Sequence, residues 1–265
     1  MRFNFQPSFA GSGFYGLQFP VSVTYGLNSR WALFLSTNQG FASVSTNTSH
    51  GAFRQNSGGA GDLGIYPRYT LFRIDKPKST FRIAALAGAF LPSGSNSLIG
   101  QQGLLPKSLQ TGAGTVDPYA GATVSYAAVR WAAAVDSTYR LNPLSTTGIS
   151  PASQFRSDAQ IEYTFLPVHE PEEGLPRLWI VSFEWNYQHD AKDHVNGMVA
   201  ADSGGSVLRQ DVLLEHSTLH WQIGFGAQYA LLQDLPGTER AKQRGGLLLY
   251  FEYYLAAPRW RKGRT

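Results

Sequence analysis

The chain has 265 residues, of which 43% are hydrophobic and 15% are charged, with a net charge of +4 and no cysteine. Without cysteine, disulfides, zinc–thiolate sites and thiol chemistry are excluded, and no uncharged apolar run reaches the ~18 residues of a membrane-spanning helix. Lysine and arginine are scattered among predicted turns and strand ends, apart from the basic tail RWRKGRT, so a nucleic-acid partner is not expected.

Apolar and polar side chains alternate along segments of roughly ten residues, as they do in β-strands with one apolar face. The stretch LWIVSFEWNYQ shows the alternation plainly, because aromatic and aliphatic residues take turns with serine, glutamate and amides. About twelve such segments are predicted to be strands. In chain order they are 2–9, 14–25, 31–44, 61–74, 81–91, 116–127, 131–141, 157–166, 178–188, 207–215, 219–232 and 245–255.

The connections between these segments alternate, with few exceptions, between short turns and long polar loops. The long loops are expected near residues 45–59, 92–113, 141–155 and 190–206, all at one end of the molecule. This pattern is typical of an all-β, antiparallel, up-and-down transmembrane β-barrel. We therefore predict a barrel over residues 1–256 and a basic tail over 257–265, embedded in the lipid bilayer of the bacterial outer membrane. No secretory signal is recognisable in MRFNFQPSFAGSGFYG.

In such a barrel, one face of each strand contacts lipid and the other faces the lumen. The alternation assigns large aromatic residues to the lipid face: Trp31, Trp131, Trp179, Phe183, Trp185, Trp221, Phe225 and Phe251. It assigns charged residues to the lumen, where we predict that they set selectivity: Asp62, Arg68, Arg82, Asp117, Asp136, Arg140, Glu162, Glu184 and Glu252. The same inner phase carries apolar residues that could narrow the path: Phe72, Phe90, Leu213, Leu248 and Tyr250.

The inward carboxylates outnumber the inward arginines, so pairing is expected to be incomplete and water is expected in the lumen. This favours passive passage of small solutes. The main alternative is a structural or adhesion barrel whose lumen is filled by side chains. A soluble β-sandwich or lipocalin-like barrel would also alternate, but its polar face usually carries more Lys, Glu and Thr than this chain does.

Enzymatic and metal-binding functions receive little support from the sequence. Neither a G-x-S-x-G elbow nor a P-loop occurs, so we expect neither an enzyme nor a cofactor. A lipid-modifying barrel enzyme would place a serine and a histidine side by side on adjacent strands of the outer face. A predicted loop holds four possible metal ligands close together: His189, Asp190, Asp193 and His194. Oxygen and imidazole donors at this spacing could bind a divalent cation, but such loops more commonly lie in solvent without a metal.

Four short motifs occur in a fixed order along the first half of the chain. They are Tyr25-Gly26-Leu27, Gly61-Asp62-Leu63, Leu91-Pro92-Ser93-Gly94 and an Asp-containing hairpin with Asp117 and Asp136. In this order they resemble the outer-membrane transporter family associated with the meta-pathway of phenol degradation. The resemblance covers roughly residues 21–141. It implies a porin-like channel of Gram-negative bacteria that passes small, often aromatic or apolar, compounds.

Overall fold

The computed structural model describes residues 2–10, 14–48, 51–100, 103–105, 109–144, 149–168, 177–236 and 243–254. Twelve strands form a closed barrel: β1 (Arg2–Ala10), β2 (Phe14–Gly26), β3 (Trp31–Thr48), β4 (Gly51–Lys76), β5 (Ser79–Leu91), β8 (Asp117–Ala128), β9 (Trp131–Arg140), β11 (Gln154–Leu166), β12 (Leu178–Asp190), β15 (Gly205–Ser217), β16 (Trp221–Asp234) and β17 (Gln243–Tyr253). The described connections contain two-residue strands: β6 (Ile99–Gly100), β7 (Gly103–Leu104), β10 (Ile149–Ser150), β13 (His194–Val195) and β14 (Met198–Val199).

The barrel strands follow one another around the barrel in chain order, and every pairing is antiparallel. The first strand closes the barrel, because β1 pairs with β2 on one side and with β17 on the other. The closing register joins Arg2 to Glu252 and Phe9 to Gly245. The predicted up-and-down meander of about twelve strands is confirmed.

Short turns lie at one end of the barrel and long connections at the other. The short end includes residues 27–30, 77–78, 129–130 and 218–220, and the long end includes 92–116, 141–153 and 191–204. The long connections pair with one another in small sheets, for example Ser150 of β10 with His194 of β13. Apart from the predicted loop at residues 45–59, the connections that the structure describes follow the order of short turns and long loops predicted from the sequence.

One predicted loop, at residues 45–59, is wrong. The pairing of β3 with β4 continues from Gln39↔Ala60 to Thr48↔Gly51, so the segment is a strand hairpin that projects past the neighbouring strands. The backbone ladder continues through a stretch rich in Ser, Asn and Gly whose sequence has no regular apolar alternation. Composition alone therefore suggested a loop.

The outer surface of the barrel is apolar and carries aromatic clusters near the short turns. Trp31 packs on Tyr69 with ring centroids 4.7 Å apart, and Trp131 packs on Tyr163 at 4.5 Å. Near the opposite end, the rings of Phe155 and Tyr187 lie 6.3 Å apart. Two bands of aromatic rings around an apolar belt are the exterior of a membrane barrel. The arrangement reverses a soluble barrel, in which the apolar residues face inward.

No helix that could cross a membrane occurs in the described part of the chain.

A β-bulge changes the phase of one strand and corrects one expectation. The register of β4 against β5 shifts between Thr70 and Phe72. Because one extra residue reverses the alternation, Phe72 lies on the outer face, 48% exposed, and its ring contacts that of Phe81 at 6.2 Å. The prediction that Phe72 narrows the lumen was wrong.

Candidate functional site: the lumen cavity

The barrel encloses a cavity of about 960 Å³. Side chains from strands on opposite sides of the barrel line it, together with residues 109–113 of the connection between β5 and β8. This volume is in the range of cavities that hold small molecules, roughly 300–1,000 Å³. The cavity is therefore the candidate functional site.

The connection between β5 and β8 folds over the cavity and is anchored there by Asp62. The Asp62 carboxylate accepts hydrogen bonds from the backbone N–H of Ala113 at 2.9 Å and of Gly94 at 3.2 Å. Leu109 of the same connection is 1% exposed and lines the cavity. Residues 109–113, which we call the inner loop, thus narrow the lumen at the end that carries the long connections.

Arg140 joins this anchor to the barrel wall. Its guanidinium lies 3.0 Å from Asp62 Oδ2 and also donates to Asp117 Oδ2, from Nε at 3.0 Å. Asp117 is fully buried and additionally accepts a 2.6 Å hydrogen bond from Thr115. The Arg140 guanidinium lies over the Phe90 ring, 4.3 Å from its centroid. Three of the predicted lumen residues, Asp62, Asp117 and Arg140, therefore form one cluster that holds the inner loop.

One side of the lumen, which we call the aromatic wall, consists of rings from β3, β4, β5 and β8. Phe34 stacks on Tyr66 at 5.3 Å with an interplanar angle of 6°. Tyr119 contacts Tyr66 at 5.1 Å and Phe90 at 5.3 Å. Arg68 lies at the edge of this cluster, with its guanidinium 5.1 Å from the Phe34 ring centroid. The rings support one another without requiring charged partners.

The other side, which we call the polar wall, is formed by β11, β12, β15 and β16. Asp211 is 4% exposed and accepts hydrogen bonds from Asn186 at 3.0 Å and Gln228 at 3.2 Å. Arg209 donates to Gln188 at 3.5 Å. The second oxygen of Asp211 has no hydrogen-bond partner among the described residues. Such a group in a cavity wall indicates a place for water.

Towards the short-turn end, a buried network joins side chains of four neighbouring strands, β12, β15, β16 and β17. The Glu215 carboxylate is 2% exposed and accepts hydrogen bonds from Ser182, Gln222 and Tyr250. Gln222 also donates to the Tyr250 hydroxyl at 2.8 Å. The buried side chains of Leu213, Leu248 and Tyr250 pack against one another here. We call this region the floor of the cavity.

The remaining predicted lumen residues occupy separate positions. Glu184 lines the cavity, Asp136 accepts from Thr123 and Glu162 from Gln160. Arg82 lies at the short-turn mouth, half exposed and 3.8 Å from Asp75. Glu252 is also near that mouth, since it pairs in register with Gln222 at the start of β16. The role of these charges in selectivity stays a prediction.

The structure places the predicted lipid-facing aromatic residues on the outer phase of their strands. Most are more than a third exposed: Trp31, Trp131, Trp179, Phe183, Phe225 and Phe251. Trp185 and Trp221 are half-buried on the same face. Trp179 and Trp221 flank His216, with ring centroids 4.7 and 5.3 Å from the imidazole.

Sequence reasoning missed several cavity residues: Arg156, Asp158, Arg209 and Asp211. The signal was present in the alternation. Asp158 and Arg156 lie four and six residues before Glu162 on the same face of β11, and Asp211 and Arg209 lie four and six residues before Glu215 on the same face of β15. The predicted strand begins at Ser157, so Arg156 falls just outside it.

The loop donors proposed for a metal are engaged separately. Asp190 accepts from Gln154 at 2.7 Å, and Asp193 accepts from the backbone of Ala152 at 2.7 Å. His189 shares a 2.9 Å hydrogen bond with Ser206. Within the ranges that the structure describes, no three such donors converge.

The pair of His189 and Ser206 does satisfy the arrangement named above for a lipid-modifying enzyme. The two residues are paired neighbours on β12 and β15, on the outer phase at the long-connection end. Catalysis also requires a group that orients the histidine and donors for the developing oxyanion. Among the described residues, the other ring nitrogen of His189 has no hydrogen-bond partner. We assign this pair no catalytic step.

Two solved structures share this fold. An outer-membrane channel from Pseudomonas putida F1 matches with a TM-score of 0.60 and 14% identity, over 94% of this chain and 92% of its own. The NanC porin matches with a TM-score of 0.50 and 11% identity, over 96% of this chain and 100% of its own. The fold is therefore that of outer-membrane β-barrels.

No protein-family model matches the chain, and no curated protein is significantly similar to it in sequence. The resemblance to the phenol meta-pathway transporters is not confirmed and stays a hypothesis.

Proposed function

We propose that the protein is an outer-membrane channel that lets small solutes pass through its lumen by diffusion. The observation that carries this proposal is the cavity of about 960 Å³ inside a barrel whose outside is apolar. A lumen lined by Arg156, Asp158 and Asp211 is stable only if water reaches these groups. Hydration of the interior is the condition for passage.

The solutes proposed are small compounds with an aromatic or apolar part. Three rings of the aromatic wall, those of Tyr66, Phe90 and Tyr119, line the cavity and offer a surface for such a part. The opposite polar wall keeps the path hydrated. The resemblance to transporters associated with phenol degradation supports the same class of solute, and the channel and porin among the similar folds support passage through the barrel.

Inward charges are proposed to set the selectivity, although not all of them equally. Asp62, Asp117 and Arg140 are committed to holding the inner loop. Glu184 lines the open cavity, so its charge acts directly on passing ions. Arg68 lies beside the Phe34 ring below the cavity.

Conductance of the purified barrel in a planar bilayer tests this proposal. The parent should conduct, and Glu184→Ala should lower the preference for cations because it removes a carboxylate from the cavity wall. Arg68→Ala should shift the preference in the opposite direction. Arg30→Ala, in the turn between β2 and β3 where the guanidinium donates to the Tyr69 hydroxyl on the outer face, serves as the matched control and should leave the preference unchanged.

A structural barrel with a filled lumen is the second candidate, and the floor of the cavity favours it. Glu215, Ser182, Gln222 and Tyr250 occupy the lumen there with side chains hydrogen-bonded to one another. If the parent barrel and both lumen variants carry no current, the structural function is the better account.

A further inference from the structure

The three arginines that line the cavity differ in what they contact. Arg140 is paired with Asp62 and Asp117, and Arg209 donates to Gln188. Arg156 makes no hydrogen bond or ion pair with any described residue, and its side chain is exposed in the cavity wall. Of these three side chains, Arg156 therefore keeps its donors available to a solute.

Arg156 lies where the polar wall meets the aromatic wall. On β11 it pairs in register with Thr138 of β9 and Gln188 of β12. It is close enough to Tyr119, on the aromatic wall, and to Asp158, on its own strand, to interact electrostatically with both. A solute in the cavity can therefore contact the guanidinium and the rings of Tyr66, Phe90 and Tyr119 together.

The chemistry of these two surfaces defines one class of solute. A guanidinium binds a carboxylate with two parallel hydrogen bonds, more strongly than it binds a neutral hydroxyl. The rings favour a flat apolar body in stacked or edge contact. Asp158 lies two residues from Arg156 on the same face of β11 and makes no hydrogen bond within the described chain. Its carboxylate would repel a second negative charge.

We propose that the cavity binds aromatic monocarboxylates, with Arg156 pairing the carboxylate and the aromatic wall holding the ring. This inference rests on the proposed function, because the solute must reach the cavity, and it names the class of solute that the cavity recognises. The cavity of about 960 Å³ leaves room for such a compound together with water.

Titration calorimetry on the detergent-purified barrel tests the site with three probes: benzoate, benzyl alcohol and phthalate. Benzoate should bind about tenfold more tightly than benzyl alcohol, which lacks the carboxylate. Phthalate, which carries a second carboxylate, should bind about tenfold more weakly than benzoate because Asp158 repels it. These comparisons need no variant. Equal affinities for benzoate and benzyl alcohol, or absence of benzoate binding, would overturn the proposal.

Variants then assign the site to Arg156. Arg156→Gln should weaken benzoate binding about tenfold and change benzyl alcohol binding by less than about twofold. Arg30→Gln removes the same charge outside the lumen, in the turn before β3, and should leave both affinities unchanged. Benzoate binding by Arg156→Gln at parental strength would overturn the assignment.

The binding test and the conductance test can fail independently of each other. If the barrel binds benzoate through Arg156 but carries no current, the binding site is supported and the proposed passage of solutes is contradicted. If the barrel conducts but does not distinguish benzoate from benzyl alcohol, the proposed passage of solutes is supported and the binding site is overturned.

Discussion

The two walls of the lumen are stabilised in different ways. The aromatic wall is held by contacts between rings, such as the stacked pair of Phe34 and Tyr66, and would be stable whether the lumen were dry or wet. The polar wall carries Asp158 and Asp211 with few partners, and such groups are costly unless water reaches them. The difference indicates that water, rather than side-chain packing, fills the space between the walls.

Both walls also contain positions where packing is complete. On the aromatic side, Gly88 lies where the backbone of β4 approaches closely. On the polar side, the floor is a closed network around Glu215. Substitutions at these places should therefore cost more stability than substitutions at the open parts of the walls.

Removal of the Glu215 side chain should have the largest effect on stability. Glu215→Ala leaves the donors of Ser182, Gln222 and Tyr250 without their acceptor, which should lower the free energy of unfolding by about 3 kcal/mol. Glu215→Gln keeps one acceptor oxygen and should cost about 1 kcal/mol. Urea unfolding followed by tryptophan fluorescence in lipid vesicles measures both. Equal stability of Glu215→Ala and the parent would mean that the floor is not a closed network.

A methyl group at Gly88 should have the next largest effect. Its Cβ would lie 2.2 Å from the Ile65 carbonyl oxygen and 2.6 Å from Tyr66 Cβ, so the backbone of β4 would have to move. Gly88→Ala should destabilise the barrel by about 2 kcal/mol. Gly26→Ala is the control, because open space surrounds that position. A Gly88 variant as stable as the Gly26 variant would show that the aromatic wall tolerates displacement.

Loss of Asp62 should release the inner loop and leave the barrel intact. Asp62→Ala removes the acceptor for the N–H groups of Gly94 and Ala113. Chymotrypsin should then cleave after Leu109, which is 1% exposed in the parent, about tenfold faster, because local opening costs less free energy. Mass spectrometry of the fragments measures the rate. Asp75→Ala removes a carboxylate at the mouth and should not accelerate this cleavage; acceleration in both variants, or in neither, would contradict the anchoring role.

Neutralising Arg82 should have the smallest effect on the free energy of unfolding. Its ion pair with Asp75 spans 3.8 Å between half-exposed side chains, and exposed pairs of this kind contribute about 0.5 kcal/mol or less. The same urea unfolding assay should show Arg82→Gln within that range of the parent. A loss as large as that expected for Glu215→Ala would mean that the mouth is packed rather than open.

The barrel could be predicted from the sequence because the alternation of apolar and polar residues, with a period of two, places each side chain on one of only two faces of its strand. Trp179, Phe183 and Glu184 took their faces from that period alone. The alternation assigns Phe72 to the wrong face because a β-bulge follows Thr70. This bulge is a feature of the pairing of β4 with β5. Alternation cannot reveal such an insertion.

The site was less predictable than the fold. Alternation put Asp62, Asp117 and Arg140 inside, but their convergence depends on the inner loop, which is brought to Asp62 by tertiary contacts. Asp158 lies on the same phase of its strand as the predicted lumen residue Glu162, and Asp211 on the same phase as Leu213, so alternation alone places both inside. The sequence of residues 45–59 lacks apolar alternation and therefore predicts a loop, whereas the structure has a hairpin there.

If small solutes pass through the lumen, ions should also cross the membrane along the polar wall. The chain has no cysteine, so single cysteines can be introduced at Asn186, which lines the cavity, and at Phe183, which lies on the outer face. A negatively charged thiol reagent added during a planar-bilayer recording should reduce the current of Asn186→Cys by about half or more, because the added group narrows the path. The current of Phe183→Cys should not change. An unchanged current in Asn186→Cys despite complete labelling, or an equal loss in both variants, would contradict passage through the lumen.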